Sequence, residues 1–484
     1  MTSFNTSTPS TVATAFAASD HFVMLHLGVG SFHRAHQAVF MHHLRQTGDM
    51  RWSLAGGNTR PDMPETMAAL AAQGGAYTLE TVTPQNVRSY ERIESIRQII
   101  PYDASLAGLI EVGAQANTRI ISFTVTEAGY YLDPKDQLDL NAPDLAADLE
   151  RAKKGQPGSC IYAALTAILR ERMKRAAGPI TLLNCDNLRH NGDKVRKGLL
   201  SFISLLNDAE LLAWVKAHTS YPNAMVDRIT PRPAPELRAR VLGATGVDDS
   251  AAIMGESFIQ WVIEDNFCNG RPDWEKVGVQ IVKSVAPFEE AKIRLLNATH
   301  SCIAWAGTLA GYQYIHEGTH DARIRKMAFD YVTTDVMPVL DTPANPCPLD
   351  LAAYRDTVLD RFGNPAIQDT NQRVAADGFS KIPGFIAPTV RECLASGRRI
   401  DAVAMLPALF LAFLQRWHRG ELAYVYQDQA MDAAVAHAIC DAADPVAALA
   451  SHAVFWDELA GDTRLVAALR RAVDRVTQFE KEIK

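Results

Sequence analysis

Between residues 22 and 284 the chain repeats one rhythm: a short apolar, β-branched run, a turn, then a longer stretch with helical periodicity. The strand-like runs include Phe22 to Leu27, "RWSLAGG" (51–57), "RIISFTV" (119–125), "PITLLNC" (179–185) and "VGVQIVKS" (277–284), with helical stretches such as 63–73 and 160–176 among them. Strands separated by helices pair through crossovers, so they lie parallel and carry helices on both faces. The rhythm therefore predicts an α/β fold with a doubly wound, mostly parallel sheet.

From about residue 285 the strand signals stop. Helical periodicity covers 289–311, 320–337, 350–361, 386–396, 402–418 and 443–482, interrupted by the Pro-rich connector "LDTPANPCPLD". A chain of 484 residues is too long for one compact core, and the change of pattern divides it into 21–284 and a mainly α-helical 285–484. Residues 1–20, rich in Ser, Thr and Ala, lack the basic start and apolar run of a secretory signal and read as a loose tail.

Composition narrows the partner. With 21% charged residues and a net charge of −7, the chain has neither a disorder signature nor a basic footprint for nucleic acid. Its longest apolar run, "VAMLPALFLAFL" (403–414), falls short of the ~20 residues that span a bilayer. A cytoplasmic protein with a small-molecule partner is expected, with no nucleic acid and no membrane. Its seven cysteines are scattered and never form CxxC, which argues against a disulfide framework or a structural zinc site, so no metal is expected. Cys185 and His190, close in sequence, read as packing rather than ligation.

The first strand runs into "GVGSFHRAHQ". Strand, Gly28-x-Gly30, helix is the order in which glycines let a pyrophosphate approach the backbone, and Ser31 and Phe32 follow at the helix start. The third glycine of that fingerprint is absent, since His33 stands there. After the second strand, Asp62 is the nearest acid that could bond an adenosine ribose, whereas Arg60 could greet a 2′-phosphate, and both also read as loop charges. Thr126, Glu127 and Gly129 follow the third strand, where ligands sit in open α/β sheets. The fourth ends in "NCDNLRHNG", either a turn and helix cap or a place where Asn187 offers an amide to a reacting oxygen. Asp227 and Arg228, within an apolar segment, suit a structural ion pair or a site for sugar hydroxyls.

In the second half, "EEAKIRLLNATHSCIAW" (289–305) carries Glu289, Lys292, Asn297 and His300 on a largely apolar helix. At ~100° per residue Glu289, Lys292, Leu296 and His300 share one sector, and Asn297 sits beside His300. This is either a Glu289–Lys292 salt bridge with a capped histidine or a catalytic face. A lysine in a dry cleft has its pKa lowered by desolvation and could accept the proton of an alcohol. Further on, Arg373 and Lys381 are separated and followed by the helix breakers Gly378 and Pro383, so they read as a charged loop or a second polar set.

Taken in order and spacing, "GVGSFHRAHQA", "TVTEAGYY", "LLNCDNLRHNG", "MVDRITP", "ESFIQWVIEDNF" and "EEAKIRLLNATHS" closely resemble the polyol-specific long-chain dehydrogenase/reductase family, also called the mannitol dehydrogenase family. The likeness runs from about residue 22 to beyond 420 and includes the histidine at the third glycine position. It implies a Rossmann-type domain that holds NAD and a helical domain that brings the base and the polyol binders. It implies oxidation of a sugar alcohol to a ketose without a metal. In that scheme Lys292 is the general base, Asn187 and Asn297 bind the developing alkoxide, and His300 holds a neighbouring hydroxyl. Asp227, Arg373 and Lys381 bind the rest of the polyol, and Glu289 relays the proton. "QYIHEGT" and "NPAIQDTNQRVAADGFSKIP" are most like members that oxidise D-arabinitol to D-xylulose. D-Mannitol/D-fructose and the hexuronates are the alternative substrates, and a nucleotide-binding regulatory protein without turnover is the non-enzyme alternative. A monomer or weak homo-oligomer is expected.

Overall fold

The computed structural model describes residues 21–133 and 136–483, so the expectation for the tail 1–20 lies outside the described residues. The strands are β1 (Phe22–Leu27), β2 (Trp52–Gly57), β3 (Tyr77–Val82), β4 (Arg88–Ile93), β5 (Ile96–Ile99), β6 (Thr118–Phe123), β7 (Ile180–Asn184), β8 (Thr219–Ser220), β9 (Ala224–Asp227), β10 (Ile253–Glu256), β11 (Gln260–Glu264) and β12 (Gln280–Val282). The described residues fall into two compact units of strands and helices, one within 1–81, 89–255 and 259–285, the other within 82–88, 256–258 and 286–484.

The first unit is built on a six-stranded sheet in the order β5-β2-β1-β6-β7-β8, parallel at every pair. Strand order reverses at β1, which has β2 on one side and β6 on the other. That is the switch point at which open α/β sheets leave a crevice beyond the strand ends. Period-two alternation sends Val23, Leu25 and Leu27 into a cluster with Ile161, Leu165 and Phe202, and Met24 into one with Phe40, Trp261 and Trp274. Both faces are covered, as the alternation of strands and helices dictates, and the fold is the doubly wound one expected.

Two smaller sheets depart from the sequence reading. The run at 277–284 was expected among the parallel strands. It supplies β12, which instead pairs in parallel with β11, itself antiparallel to β9. β3 and β4, in a sheet ordered β10-β3-β4, were not anticipated. β3 reads "YTLETV", and Glu80 within it is fully buried, an arrangement made tolerable by Arg240, whose Nε and Nη2 donate to its carboxylate at 3.0 and 2.8 Å. That partner lies far along the chain, where no local pattern registers it.

The second unit is helical. Its aromatic centre places Trp305 against Phe410, and Phe455 against Phe379 and Phe410. Three of its helices contain π turns, at Lys292–Asn297, Tyr331–Val336 and Ile382–Ile386, and the first packs against the other two. The third corrects an expectation: Pro383 does not end the helix, which continues through Ala387–Ala395. The wider turn accommodates the missing N–H and the bulk of the ring. The single stretch expected over 443–482 is broken between Pro445–Ala450 and Thr463–Glu482. There Gly461 adopts φ +79° and Asp462 caps a new helix start.

Candidate active site

In the first unit the carboxyl ends of β1, β2, β6 and β7 gather the nucleotide-site candidates. Gly28, at φ +102°, leaves β1 in a backbone conformation that side chains rarely adopt, and a Cβ there would collide with the Thr124 carbonyl. Its carbonyl accepts from the Thr124 hydroxyl at 3.0 Å, and the Val29 N–H donates to Asn58 Oδ1 at 2.8 Å. Above Gly30 the space is open, the nearest atom to a Cβ there being 3.9 Å away. Ser31 and Phe32, both half-buried, begin the short helix Ser31–Ala35.

The absent third glycine has a structural reason. His33 is fully buried and stacks on His26, ring centroids 3.4 Å apart and planes 11° from parallel. His26 is held by Ser122 at 2.8 Å and by the Gly28 carbonyl at 3.1 Å, so the imidazole pair supports the turn from below. Burial pushes the pKa of His26 down to about 3, and burial with the neighbouring His26 pushes that of His33 well down.

At the end of β6, Thr126 has φ +64° and ψ 163°, a region almost reserved for glycine. The Asp186 carboxylate, just past β7, accepts the N–H groups of Val125 and Thr126, each at 2.9 Å, and the Tyr130 hydroxyl. Glu127 opens the 3-10 turn Glu127–Tyr130. Around Asp186, Asn191 donates to the Asp186 and Ala224 carbonyls at 3.0 and 2.7 Å, so the loop is braced and leaves Asn187 exposed on it. The segment "NCDNLRHNG" turns after β7 and leads into the helix Asn191–Leu205, which has no side-chain N-cap, while the Asp186 carboxylate is taken up by the loop after β6 and by Tyr130.

Asp62 is exposed, with its carbonyl accepting from Asn58 Nδ2 at 3.1 Å. Arg60 is engaged elsewhere, donating to the Tyr131 hydroxyl at 2.6 Å and lying 3.6 Å from Asp144. Asp227 is buried at the end of β9, and Arg228 donates to the Ala35 carbonyl at 2.6 Å.

In the second unit Glu289 and Lys292 are both buried, 4% and 6% exposed. Residues Lys292–Asn297 form a π turn, so the straight projection at ~100° per residue does not carry from Lys292 to His300. Both the lysine and the amide sit on that wider turn. π turns are rare and concentrate at functional sites. His300 stacks on Phe362, centroids 4.2 Å apart, and burial lowers its pKa to about 3, so it is neutral. Its Nε2 lies 3.5 Å from Asp369, whose carboxylate also pairs with Arg373. Lys381 donates to the Val374 carbonyl at 2.7 Å, and burial pulls its pKa down to about 8 against the opposing pull of Asp377. Asn297, His300, Arg373 and Lys381 thus stand on elements of one unit, whereas Asn187 and Asp227 belong to the other.

Among the described residues, no group of three His, Cys, Asp or Glu side chains could hold a metal ion, and no helix is long and apolar enough to cross a membrane.

Two family models match the chain: a mannitol dehydrogenase Rossmann domain over residues 23–276 and a mannitol dehydrogenase C-terminal domain over 284–477. The chain belongs to the mannitol dehydrogenase family. Among relatives in the mannitol dehydrogenase family, it is 60% identical to the D-arabinitol 4-dehydrogenase of Ralstonia nicotianae, over 94% of this chain and 96% of that protein. It is 52% identical to the D-arabinitol 4-dehydrogenase of Klebsiella pneumoniae, over 95% and 99%. Its structure resembles that of Pseudomonas fluorescens mannitol 2-dehydrogenase in ternary complex with NAD and D-mannitol. The TM-score is 0.81 at 34% identity, covering 96% of this chain and 94% of that one.

Sequence reasoning passed over Asp369 and the bracing roles of Asp186 and Asn191. A carboxylate four residues before Arg373 was visible, but its second partner, His300, comes from another helix.

Proposed function

We propose that this protein is an NAD-dependent polyol dehydrogenase that oxidises D-arabinitol to D-xylulose. The observation that carries the chemistry is Lys292, an amine only 6% exposed on a π turn that ends in Asn297, with His300 three residues beyond. The choice of substrate rests on the 60% and 52% identity to two proteins named D-arabinitol 4-dehydrogenase.

The residues of the first unit fit a dinucleotide. The glycine turn at the switch point leaves open space over Gly30, where a pyrophosphate could approach the backbone, and Ser31, Phe32, Thr126 and Glu127 border the same strand ends. Asp62 offers an exposed carboxylate to ribose hydroxyls, while Arg60 is drawn to Tyr131 and Asp144, which favours NAD over NADP. NAD bound there supplies the acceptor for a hydride.

The chain's own residues do the rest. Lys292, as a neutral amine, takes the proton of the reacting hydroxyl. Asn187 and Asn297 donate N–H groups to the oxygen as it gains negative charge, the preorganised stabilisation that is usually large in such chemistry. His300 holds a neighbouring hydroxyl, Asp227, Arg373 and Lys381 bind the remaining carbinols, and Glu289 hands the proton on towards solvent. We assign 21–284 to the nucleotide and 285–484 to the base and the polyol.

The test is NADH formation by the purified protein with NAD and D-arabinitol, D-mannitol or D-sorbitol. D-Arabinitol should give the highest kcat/KM. A preference for D-mannitol would move the substrate to that of the mannitol 2-dehydrogenases, and no turnover with any polyol would remove the enzymatic reading.

A further inference from the structure

Asp369 has no role in the scheme above, yet it touches two residues that do. Its side chain is only 9% exposed. Arg373 grips the carboxylate with both arms, Nε donating to Oδ1 at 2.6 Å and Nη2 to Oδ2. The same Oδ2 lies 3.5 Å from His300 Nε2. That nitrogen is buried and has no hydrogen-bond partner within normal geometry. The imidazole also lies flat on Phe362, its plane 14° from the phenyl ring. Stacking fixes the plane of the ring, and the carboxylate stands at one edge of it.

The charges around His300 decide where its proton goes. Burial opposes a second proton on the ring, and the charges of Arg373, Lys381 and Arg361 add to it against the pull of Asp369, so the ring carries one N–H. A bare Nε2 would set its lone pair against a carboxylate oxygen. An Nε2–H points its positive end at that oxygen instead. Contacts of this kind are often long before substrate binds and shorten in the loaded site.

We propose that Asp369 is a positioning residue for polyol recognition, locking His300 as the Nε2–H tautomer so that Nδ1 accepts a hydrogen bond from a substrate hydroxyl. The inference rests on the reading of His300 and Arg373 as polyol binders. It deepens that reading by giving the recognition a direction. An acceptor nitrogen selects a carbon bearing O–H and rejects a carbonyl or a deoxy carbon at that place, since neither can donate. His300 therefore reads a hydroxyl that survives the reaction, beside the carbon that is oxidised, and Arg373 is kept next to it by the same carboxylate.

Two measurements test this on the full-length protein. Long-range proton–nitrogen correlation on histidine-labelled protein, with His300→Gln to assign the signal, should show His300 as the Nε2–H tautomer. A predominant Nδ1–H tautomer would overturn the proposal, and this reading needs no Asp369 variant to fold. The second measurement is a cycle of Asp369→Asn, His300→Ala and the double variant. Asp369→Asn should raise the polyol KM about tenfold, as for losing a hydrogen bond to a charged group, with NAD affinity unchanged. In the His300→Ala background the same change should add little, because residues that act through each other are not additive. Fully additive losses, or loss of kcat with unchanged KM, would assign Asp369 a merely structural role and sink the idea. A Lys292→Ala control separates the two levels: normal turnover by it would remove the catalytic reading underneath, while the tautomer would still decide the relation between Asp369 and His300.

Discussion

Asp186 Oδ1 accepts the backbone N–H of Thr126 at 2.9 Å, and Thr126 is held there in a conformation, φ +64° and ψ 163°, that a β-branched residue almost never adopts. Strain of this kind costs about 1–3 kcal/mol and persists only where the surroundings over-determine it. A carboxylate that also accepts from Val125 and Tyr130 provides that restraint. Asp186→Asn should therefore lower unfolding free energy by about 2 kcal/mol, since its amide turns a donor towards groups that are themselves donors. Adding Thr126→Gly should recover about 1 kcal/mol by removing the strain. Urea unfolding of the three proteins checks both numbers. An Asp186→Asn variant as stable as the parent would show that the loop needs no clamp.

Two buried histidines, His26 beneath the glycine turn and His36 at the end of the helix Ser31–Ala35, predict acid sensitivity. His26 has its folded pKa depressed to about 3 from 6.5, and His36, also buried, likewise to about 3. The unfolded chain binds these protons first, so between pH 6.5 and 3 stability falls as pH falls, and above pH 6.5 the contribution is fully present. Each such histidine adds a slope of about 1.4 kcal/mol per pH unit within that window. Unfolding free energies measured between pH 7.5 and 4.5 should show that steepening, and His36→Asn should reduce it by about one proton. A flat profile would mean that these rings are protonated in the folded protein.

The rhythm of strands and helices made the centre of the parallel sheet legible, because β1, β2, β6 and β7 are buried almost throughout and announce themselves with apolar runs such as "FVMLHL", whereas its edge strands β5 ("IRQI") and β8 ("TS") carry no such run and were not anticipated. β3 was hidden because its charge at Glu80 is matched by Arg240, a tertiary partner. The same limit applied to the site. Lys292, Asn297 and His300 could be picked out as polar residues on an apolar helix. The π turn between them could not, since it depends on how that helix packs against two others that also carry π turns. Asp369 and Asp186 were visible as letters but not as clamps, because what they hold is brought to them only by the fold.

Arg361 and Glu256, each 2% exposed, form a buried two-armed pair, Nε to Oε2 at 3.0 Å and Nη2 to Oε1 at 2.7 Å, with the guanidinium 4.0 Å over the Phe258 ring. Removing one partner of such a pair leaves the other charge buried, at a cost of about 3–5 kcal/mol. Arg361→Ala should show a loss of that size in chemical denaturation, and Glu256→Gln a smaller one, because the amide keeps one acceptor for Arg361. Equal and small losses would indicate that water reaches the pair.

The central claim is that Lys292 takes the proton of the reacting hydroxyl. The most direct measurement is the steady-state rate of NADH formation from NAD and D-arabinitol by Lys292→Ala, with NADH binding followed by fluorescence in the same preparation. The expected result is a fall in kcat of about a hundredfold to ten-thousandfold, the usual contribution of a general base, with NADH affinity preserved. A variant that binds NADH normally and turns over D-arabinitol within about threefold of the parent would contradict it.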